Sequence, residues 1–228
     1  MASKEQVVAG ICQAGIMPVF YHNNADVAKH VIDCCYGAGI RIFEFTNRGA
    51  NADATFKILF DHIQQYPDFI LGIGTIYEDE MTRKFTDLGA SFIVSPILKD
   101  TMAAICHEHN ILWIPGCSTL TEIVQAKDLG ARIIKLFPAS VLGPKFIASV
   151  MPVIPGLQLM PTGGIEPTKE NLWAWYMAGA VCVGIGSKLL DTTLIKQRDW
   201  EKLRAKITRL MEVAAELKIQ TKTLLINS

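Results

Sequence analysis

Lys135 and Glu44 are the residues of this chain whose surroundings first suggest chemistry. Lys135 lies in "RIIKLFPAS", residues 132–140, between Ile133, Ile134, Leu136 and Phe137, in a run that otherwise has the composition of a fully buried β-strand. Burial strips water from an ammonium group, disfavours the charged form and lowers its pKa, leaving a neutral amine able to attack a ketone. A lysine paired with a buried carboxylate for structural reasons alone fits the same run about as well. Glu44, between Phe43 and Phe45 in "IRIFEF", tips the balance. Schiff-base chemistry needs a second group that moves protons during carbinolamine dehydration and at the carbon that becomes an enamine. A partly desolvated glutamate can do both. Glu44 as a simple counter-ion to Lys135 is compatible with that role, since a catalytic pair is also an ion pair at some stage of its cycle.

Further polar residues sit where apolar runs end. Thr46 and Arg48 follow the Glu44 run, Thr75 follows "FILGIGT", and Ser95 follows "SFIVSP". "TGGI", Thr162–Ile165, and "GIGS", Gly184–Ser187, place glycines after two successive runs, where backbone N–H groups can receive a phosphate. Either element alone is weak, because glycine turns are common; two at adjacent strand ends are moderately specific. Arg48 and Thr75 could orient a carboxylate, the arginine through a bidentate fork, although a surface ion pair is the commoner fate of a lone strand-end arginine. Lys188 could assist an anion, with a solvated helix lysine the plainer interpretation. "CHEH" puts His107 and His109 two apart near a helix end, pointing in different directions, which argues against a metal site. Cys117 has no neighbouring histidine to activate it. "WAWYM" suits a helix packed on a sheet.

These residues need a scaffold, and the sequence supplies one. Short β-rich runs alternate with helical periodicity from end to end: "IMPVFY", "IRIFEF", "FILGIGT", "SFIVSP", "ILWIPG", "RIIKLF", "LQLMPT" and "VCVGIG". Between them apolar residues recur at helical spacing, as in Val27, Val31 and Cys34, or Ile123, Ala126 and Leu129. A Gly-Ala step precedes alternate runs, at Gly37, Gly89, Gly130 and Gly179, where a glycine in the left-handed region would end the helix and release the chain into a strand. Eight strand-helix units without a linker favour one (β/α)8 TIM barrel over residues 1–228, with an extra N-terminal helix in "SKEQVVAGICQAG" and a C-terminal one in "WEKLRAKITRLMEVAAELK". An open doubly wound sheet is the competing architecture. In a barrel, all the strand-end residues would converge on one opening.

Composition narrows the partners. The chain has 228 residues, 50% of them hydrophobic, and its 22 basic and 22 acidic side chains cancel, with no basic stripe for nucleic acid or an anionic membrane. The start "MASKEQVVAG" lacks the features of a leader, and no apolar run approaches the roughly 20 residues that span a bilayer. The six cysteines show no Cys-x-x-Cys or zinc-like spacing. A reducing cytoplasm is the default compartment.

"MPVF", "FEFTNR", "GIGT", "SP", "IPGCST", "IKLFPAS", "PTGGI" and "GIGSKL" follow one another between about Ile16 and Leu190. In that order and spacing the chain resembles the 2-keto-3-deoxy-6-phosphogluconate aldolase family, class I aldolases that include 4-hydroxy-2-oxoglutarate and 2-keto-3-deoxy-6-phosphogalactonate enzymes. The resemblance implies a Schiff base on Lys135, with Glu44 as general acid/base. It puts Arg48 and Thr75 by the pyruvyl carboxylate, Pro96 and Phe137 against the substrate, and Gly163, Gly164, Gly186 and Ser187 around the phosphate. It implies cleavage of a phosphorylated sugar acid to pyruvate and glyceraldehyde 3-phosphate, no metal or organic cofactor, and a homotrimer. Ser140 stands where many phosphogluconate members have Glu, and Ile97 where Gly is common. "FPASVLGPKFI" and "GIGS" lean toward phosphogalactonate members, whereas Arg48 in "FTNR" leans toward phosphogluconate and hydroxyoxoglutarate members. Cleavage of 4-hydroxy-2-oxoglutarate to pyruvate and glyoxylate, and a non-catalytic phosphosugar-binding barrel, are the alternatives. A phosphosugar isomerase or epimerase fits less well, for want of a second acid/base or metal-ligand set.

Overall fold

A computed structural model describes residues 2–226. The chain opens with helix α1 (Lys4–Ala14), whose first turn is closed by a capping box in which Ser3 and Gln6 exchange side-chain and backbone hydrogen bonds. Strand and helix then alternate: β1 (Ile16–Phe20), α2 (Ala25–Gly37), β2 (Ile42–Thr46), α3 (Ala52–His62), β3 (Ile70–Gly74), α4 (Asp79–Asp87), β4 (Phe92–Val94) and α5 (Asp100–Glu108). The fifth apolar run divides into β5 (Leu112–Ile114) and β6 (Gly116–Cys117), followed by α6 (Leu120–Asp128), β7 (Ile134–Leu136), α7 (Ala139–Val150), β8 (Leu159–Pro161), α8 (Lys169–Met177) and β9 (Val183–Ile185). Two helices complete the described chain, α9 (Thr192–Gln197) and α10 (Trp200–Ile226). Every apolar run singled out in the sequence is a strand.

The fold is α/β, with every strand pair parallel. Six strands form one sheet in the order β5-β4-β3-β2-β1-β9, and β6-β7-β8 form a second of three. Pro115 causes the division of the fifth run. It has no N–H to donate, so the chain changes partner there: Ile114 accepts from Ser95 N, whereas Pro115 accepts from Lys135 N, both bonds on the same continuous run. Between the outer strands β8 and β9, Val181 N donates to Leu159 O at 3.0 Å, and Thr162 bridges to Gly184.

Period-two alternation sorts the side chains into two layers. Phe43, Phe45, Ile134 and Leu136 face the helices in the larger hydrophobic cluster. Met17, Ile42, Phe92, Ile133 and Met160 face the other way, into a smaller cluster sealed at the strands' N-terminal end by Val7, Val8 and Ile11 of α1. Glu44 and Lys135 belong to this second face, two residues beyond Ile42 and Ile133.

The helix stops depart in one place from expectation. Gly89, Gly130 and Gly179 take positive φ at their helix ends, but before β2 it is Gly39, at φ 89°, and not Gly37, that does so. Gly37 is the last residue of α2. The "GAG" sequence offers two glycines, and the hydrogen bonds from Gly39 N to Tyr36 O and from Ile40 N to Cys35 O close the turn two residues later.

Helix α10 buries Leu203, Ile207, Leu210, Ala214 and Leu217 at heptad-like spacing. Its Lys218 reaches inward and donates to the carbonyls of Cys12, in the last turn of α1, and Val181, before β9. One cation thus ties three elements together, and burial lowers its pKa. Lys218→Met is expected to destabilise the protein by about 1–3 kcal/mol, the range for charge-assisted hydrogen bonds to partly buried carbonyls. Urea unfolding would measure it; an unchanged midpoint would remove Lys218 from the fold's supports.

Candidate active site

Alternation along β2 and β7 turns Glu44 and Lys135 toward one interior, and register determines their depth. Glu44 is paired with Val19 of β1 and Gly72 of β3; Lys135 is paired with Gly116 of β6 and Met160 of β8. Both are buried, Glu44 with 1% and Lys135 with 5% of its surface exposed. The Glu44 carboxylate lies on the backbone of Gly74, where any Cβ would overlap it.

Neither carboxylate oxygen of Glu44 has a hydrogen-bond partner among the described residues. Lys135 and Arg48 take part in no ion pair among the described residues. The two ionisable groups are therefore neighbours in an apolar interior without a closed structural salt bridge. Burial pushes the Glu44 carboxyl up, against the attraction of Lys135 and Arg48. Burial likewise pulls the Lys135 amine down, with Glu44 opposing and Arg48 assisting. Both displacements favour uncharged forms, and an uncharged amine is a nucleophile. The Phe137 ring centroid lies 5.0 Å from Lys135 Nζ and covers one side of the amine.

Lys135 opens onto a cavity of about 380 Å³. Arg48, Phe137, Gly163, Gly164, Gly186 and Ser187 line it as well. On one wall β8 continues into Gly163 and Gly164, at φ 92° and 86°, values that a side chain disfavours. This turn is tied to the start of α7 by hydrogen bonds from Ala139 N to Thr162 O and from Ser140 N to Gly163 O, each 2.9 Å. Gly164 N and Ser187 N donate no backbone hydrogen bond among the described residues, which leaves them available to an anion. Lys188 also lines the cavity, and its amine is paired with Glu166.

Three of the sequence candidates, Glu44, Thr75 and Pro96, do not line this cavity, and Glu44 is the one of them that is fully buried. Thr75 directly follows Gly74 and holds φ 61°, a strained value for a β-branched residue, at the end of the strand that supports Glu44. Pro96 lies beneath Gly116, whose Cβ position is 2.5 Å from the Pro96 carbonyl. Ser95 accepts the N–H of Ile97 at 3.1 Å and shapes the turn after β4. Cys117 is buried beside the site, and burial pushes its thiol up to about 12, so it is no thiolate. His107 donates to, or with the other tautomer faces, the Leu129 carbonyl at 2.9 Å, at the end of α6.

The cavity also holds residues that sequence reasoning passed over. Thr162 presents a buried hydroxyl with no partner, and Val19, Phe20 and Tyr21 bring in the end of β1. In the sequence "VFYH" reads as core, and nothing short of the strand order reveals that its last residues reach the mouth. Thr162 carried a signal in "TGGI", but attention there fell on the glycines.

Residues 7–206 match the family model described as KDPG and KHG aldolase. The 2-dehydro-3-deoxy-phosphogluconate aldolase of Dickeya dadantii is 29% identical over 204 residues, covering 89% of this chain and 92% of the relative. The 2-dehydro-3-deoxy-6-phosphogalactonate aldolase of Escherichia coli is 32% identical over 121 residues, 53% of this chain and 58% of its own. Among solved structures, the KDPG aldolase from Legionella pneumophila, with pyruvate captured as a covalent carbinolamine, superposes with a TM-score of 0.81 at 24% identity, covering 89% of this chain and 97% of that one. At that identity the likeness is one of fold.

The isolated burial of Lys135 makes a stability prediction. Its folded pKa lies below the ordinary value of 10.5, so below the folded pKa the native state carries an unfavourably buried charge. As pH rises toward the unfolded value both states become neutral and the penalty fades. Lys135→Met is therefore expected to be more stable than the wild type by about 1–3 kcal/mol at pH 6 to 7. The gain should shrink toward zero as pH approaches about 10.5. Urea midpoints across this range measure it, and a gain that grew with pH would contradict the assigned burial penalty.

Proposed function

The chain belongs to the KDPG and KHG aldolase family, and we propose that it is a class I aldolase cleaving 2-keto-3-deoxy-6-phosphogluconate, or its galactonate epimer, to pyruvate and glyceraldehyde 3-phosphate. The observation that carries this reading is the convergence of Lys135 and Glu44 in one apolar interior. Both are buried, the carboxylate has no hydrogen-bond partner, and the amine opens on a cavity with an anion-ready glycine wall.

In this mechanism the neutral Lys135 amine attacks the substrate's C2 ketone. Glu44 relays the protons that convert the carbinolamine to an iminium with loss of water. Removal of the C4 hydroxyl proton breaks the C3–C4 bond, whose electrons flow to the iminium and leave an enamine. The aldehyde departs, the enamine is protonated at C3, and water frees pyruvate and the amine. Lys135 is the covalent group, so the chemistry calls for no metal or organic cofactor. Arg48 and Thr75 are assigned to the carboxylate side, Phe137 and Pro96 to the substrate's flank, and Gly163, Gly164, Gly186 and Ser187 to the phosphate.

The reading extends to architecture. We infer that residues 1–228 form a single (β/α)8 barrel, closed at the β8–β9 seam by the Val181–Leu159 bond and the Thr162–Gly184 bridge, and at the fifth strand by the partner change at Pro115. A homotrimer is supported by apolar side chains left exposed after successive strands: Tyr77, Ile97, Leu120 and, at 78%, Val141. Sedimentation equilibrium tests this; a monomer at micromolar concentration would exclude it. The proposed compartment is the cytoplasm; no described helix is long and apolar enough to cross a membrane.

A second substrate, 4-hydroxy-2-oxoglutarate, is favoured by the same carboxyl-side residues, and would give pyruvate and glyoxylate. Comparing kcat/KM for phosphorylated and unphosphorylated substrates separates the two. Incubation with pyruvate and sodium borohydride, followed by peptide mapping, is expected to place a reduced adduct on Lys135. Folded protein that forms none at saturating pyruvate would overturn the mechanism. Glu44→Gln is expected to lower kcat by about 10²–10⁴-fold, the usual contribution of a positioned acid/base. Steady-state cleavage rates measure it, and a change below threefold would release Glu44 from that role.

A further inference from the structure

Tyr21 follows the last residue of β1 and lines the cavity beside Arg48 and Ser187, half-buried. Its ring leans on Phe45, with centroids 5.7 Å apart at 42°, and its hydroxyl comes to rest over Gly49. A Cβ at Gly49 would overlap that hydroxyl. Gly49 is not among the residues with positive φ, so its missing side chain answers to space and not to backbone conformation. The Tyr21 hydroxyl has no hydrogen-bond partner among the described residues, although the ring is held firmly enough to give it a defined place. A positioned, unpaired phenol in the wall of a substrate cavity is a recognition group awaiting its ligand.

Strand order says which part of the substrate it meets. β1 lies between β2, with Val19 opposite Glu44 and Phe20 opposite Phe45, and β9, with Pro18 opposite Ile185. Glu44 and Arg48 stand on the β2 side, and Gly186 and Ser187 on the β9 side. Lys135 lies on β7 and the glycine wall follows β8 and β9, so β1, next beyond β9, borders the cavity at the phosphate end of a substrate whose C2 is on Lys135, where C5 is the hydroxyl-bearing carbon nearest the phosphate. On this basis, and resting on the function proposed above, we propose that Tyr21 is a specificity residue whose hydroxyl hydrogen-bonds the C5 hydroxyl of the six-carbon substrate, with Gly49 conserving the space in which it sits. The C5 hydroxyl is the C2 hydroxyl of the aldehyde half, so Tyr21 would choose among aldehydes and leave pyruvate activation alone.

The condensation direction isolates this contact. There the pyruvyl methyl carbon, as the enamine, forms a C–C bond to the aldehyde carbon, and the aldehyde oxygen takes up the proton that the methyl group lost. Rates are compared for glyceraldehyde 3-phosphate and for 3-oxopropyl phosphate, which lacks only the C2 hydroxyl. Wild-type kcat/KM is expected to favour the hydroxylated aldehyde by about tenfold or more, as for sites built around a substrate hydroxyl. Tyr21→Phe, which keeps the ring and its packing, is expected to bring the ratio to within about twofold of unity. Gly49→Ala, which displaces the phenol, should act in the same direction, and the double variant should lose little more than either single one. Equal losses for both aldehydes, or an unchanged ratio in Tyr21→Phe, would overturn the assignment. The borohydride adduct with pyruvate is the control. Wild-type protein that fails to form it brings down the proposed function first, whereas an intact adduct with unaltered aldehyde preference refutes the Tyr21 contact alone.

Discussion

Two ionisable groups kept from water inside a parallel sheet are the constraint around which this molecule is organised. An isolated ammonium or carboxylate in an apolar interior is destabilising by several kcal/mol unless it is paired or neutralised. Here, among the described residues, the carboxylate of Glu44 has no hydrogen-bond partner and Lys135 no ion pair, so the remainder of the fold must sustain the strain. It does so with two hydrophobic layers. The outer layer joins the strands to their helices, and the inner one fills the sheet's interior below the pair. Helix α1 closes that lower end with Val7, Val8 and Ile11. Water and solutes can therefore approach Lys135 only from the strands' C-terminal side, where the cavity lies.

The neighbouring strands are adapted to the same pair. Each ionisable residue has a glycine directly across the ladder: Gly72 beside Glu44, and Gly116 beside Lys135. A side chain at either place would collide with its surroundings, at Gly72 with the Phe92 ring of the inner layer and at Gly116 with the backbone of Ser95 and Pro96. Gly74 carries the logic one step further, because the Glu44 carboxylate lies on its backbone. Pro115 contributes by a different route. By ending the pairing of β5 with β4, it lets the next two residues turn to β7 and bring Gly116 opposite Lys135. The interruption in the fifth run is thus part of how the lysine is housed.

Much of this was legible in the sequence because it is written in local pattern. The eight apolar runs, the helical periodicity between them and the odd polar residues Glu44 and Lys135 need no knowledge of distant contacts, and alternation alone places those two on the face shared with Ile42 and Ile133. The parts that were not legible depend on which strand lies beside which. Tyr21 and Thr162 look like core and turn residues until β1, β8 and β9 are set side by side. Thr75 and Pro96 sit at strand ends as expected but do not line the cavity, since a strand-end position does not determine the direction of the next bond. Gly37 lost its expected role to Gly39 because two glycines in one turn leave the stopping point to hydrogen bonding.

The division of labour across the cavity follows from the kinds of charge involved. Chemistry at a ketone requires groups that gain and lose protons, and only side chains can do this near neutrality; those are placed deep, where burial moves their pKa values toward each other. Holding an anion requires the opposite, a donor whose charge state never changes with pH. Backbone N–H groups meet that requirement, and in the proposed assignment Gly164 and Ser187 would offer them at a shallower level, with no competing backbone acceptor among the described residues. A lysine in that outer position would be a weaker choice, since it would add a second amine close to the reactive one and lower the latter's pKa indiscriminately. Lys188, the amine that does line the wall, is instead neutralised by Glu166. Arg48 stands close enough to influence both Glu44 and Lys135. Its charge works toward a free amine at Lys135 and a carboxylate at Glu44, the pairing with which the proposed Schiff-base cycle would begin.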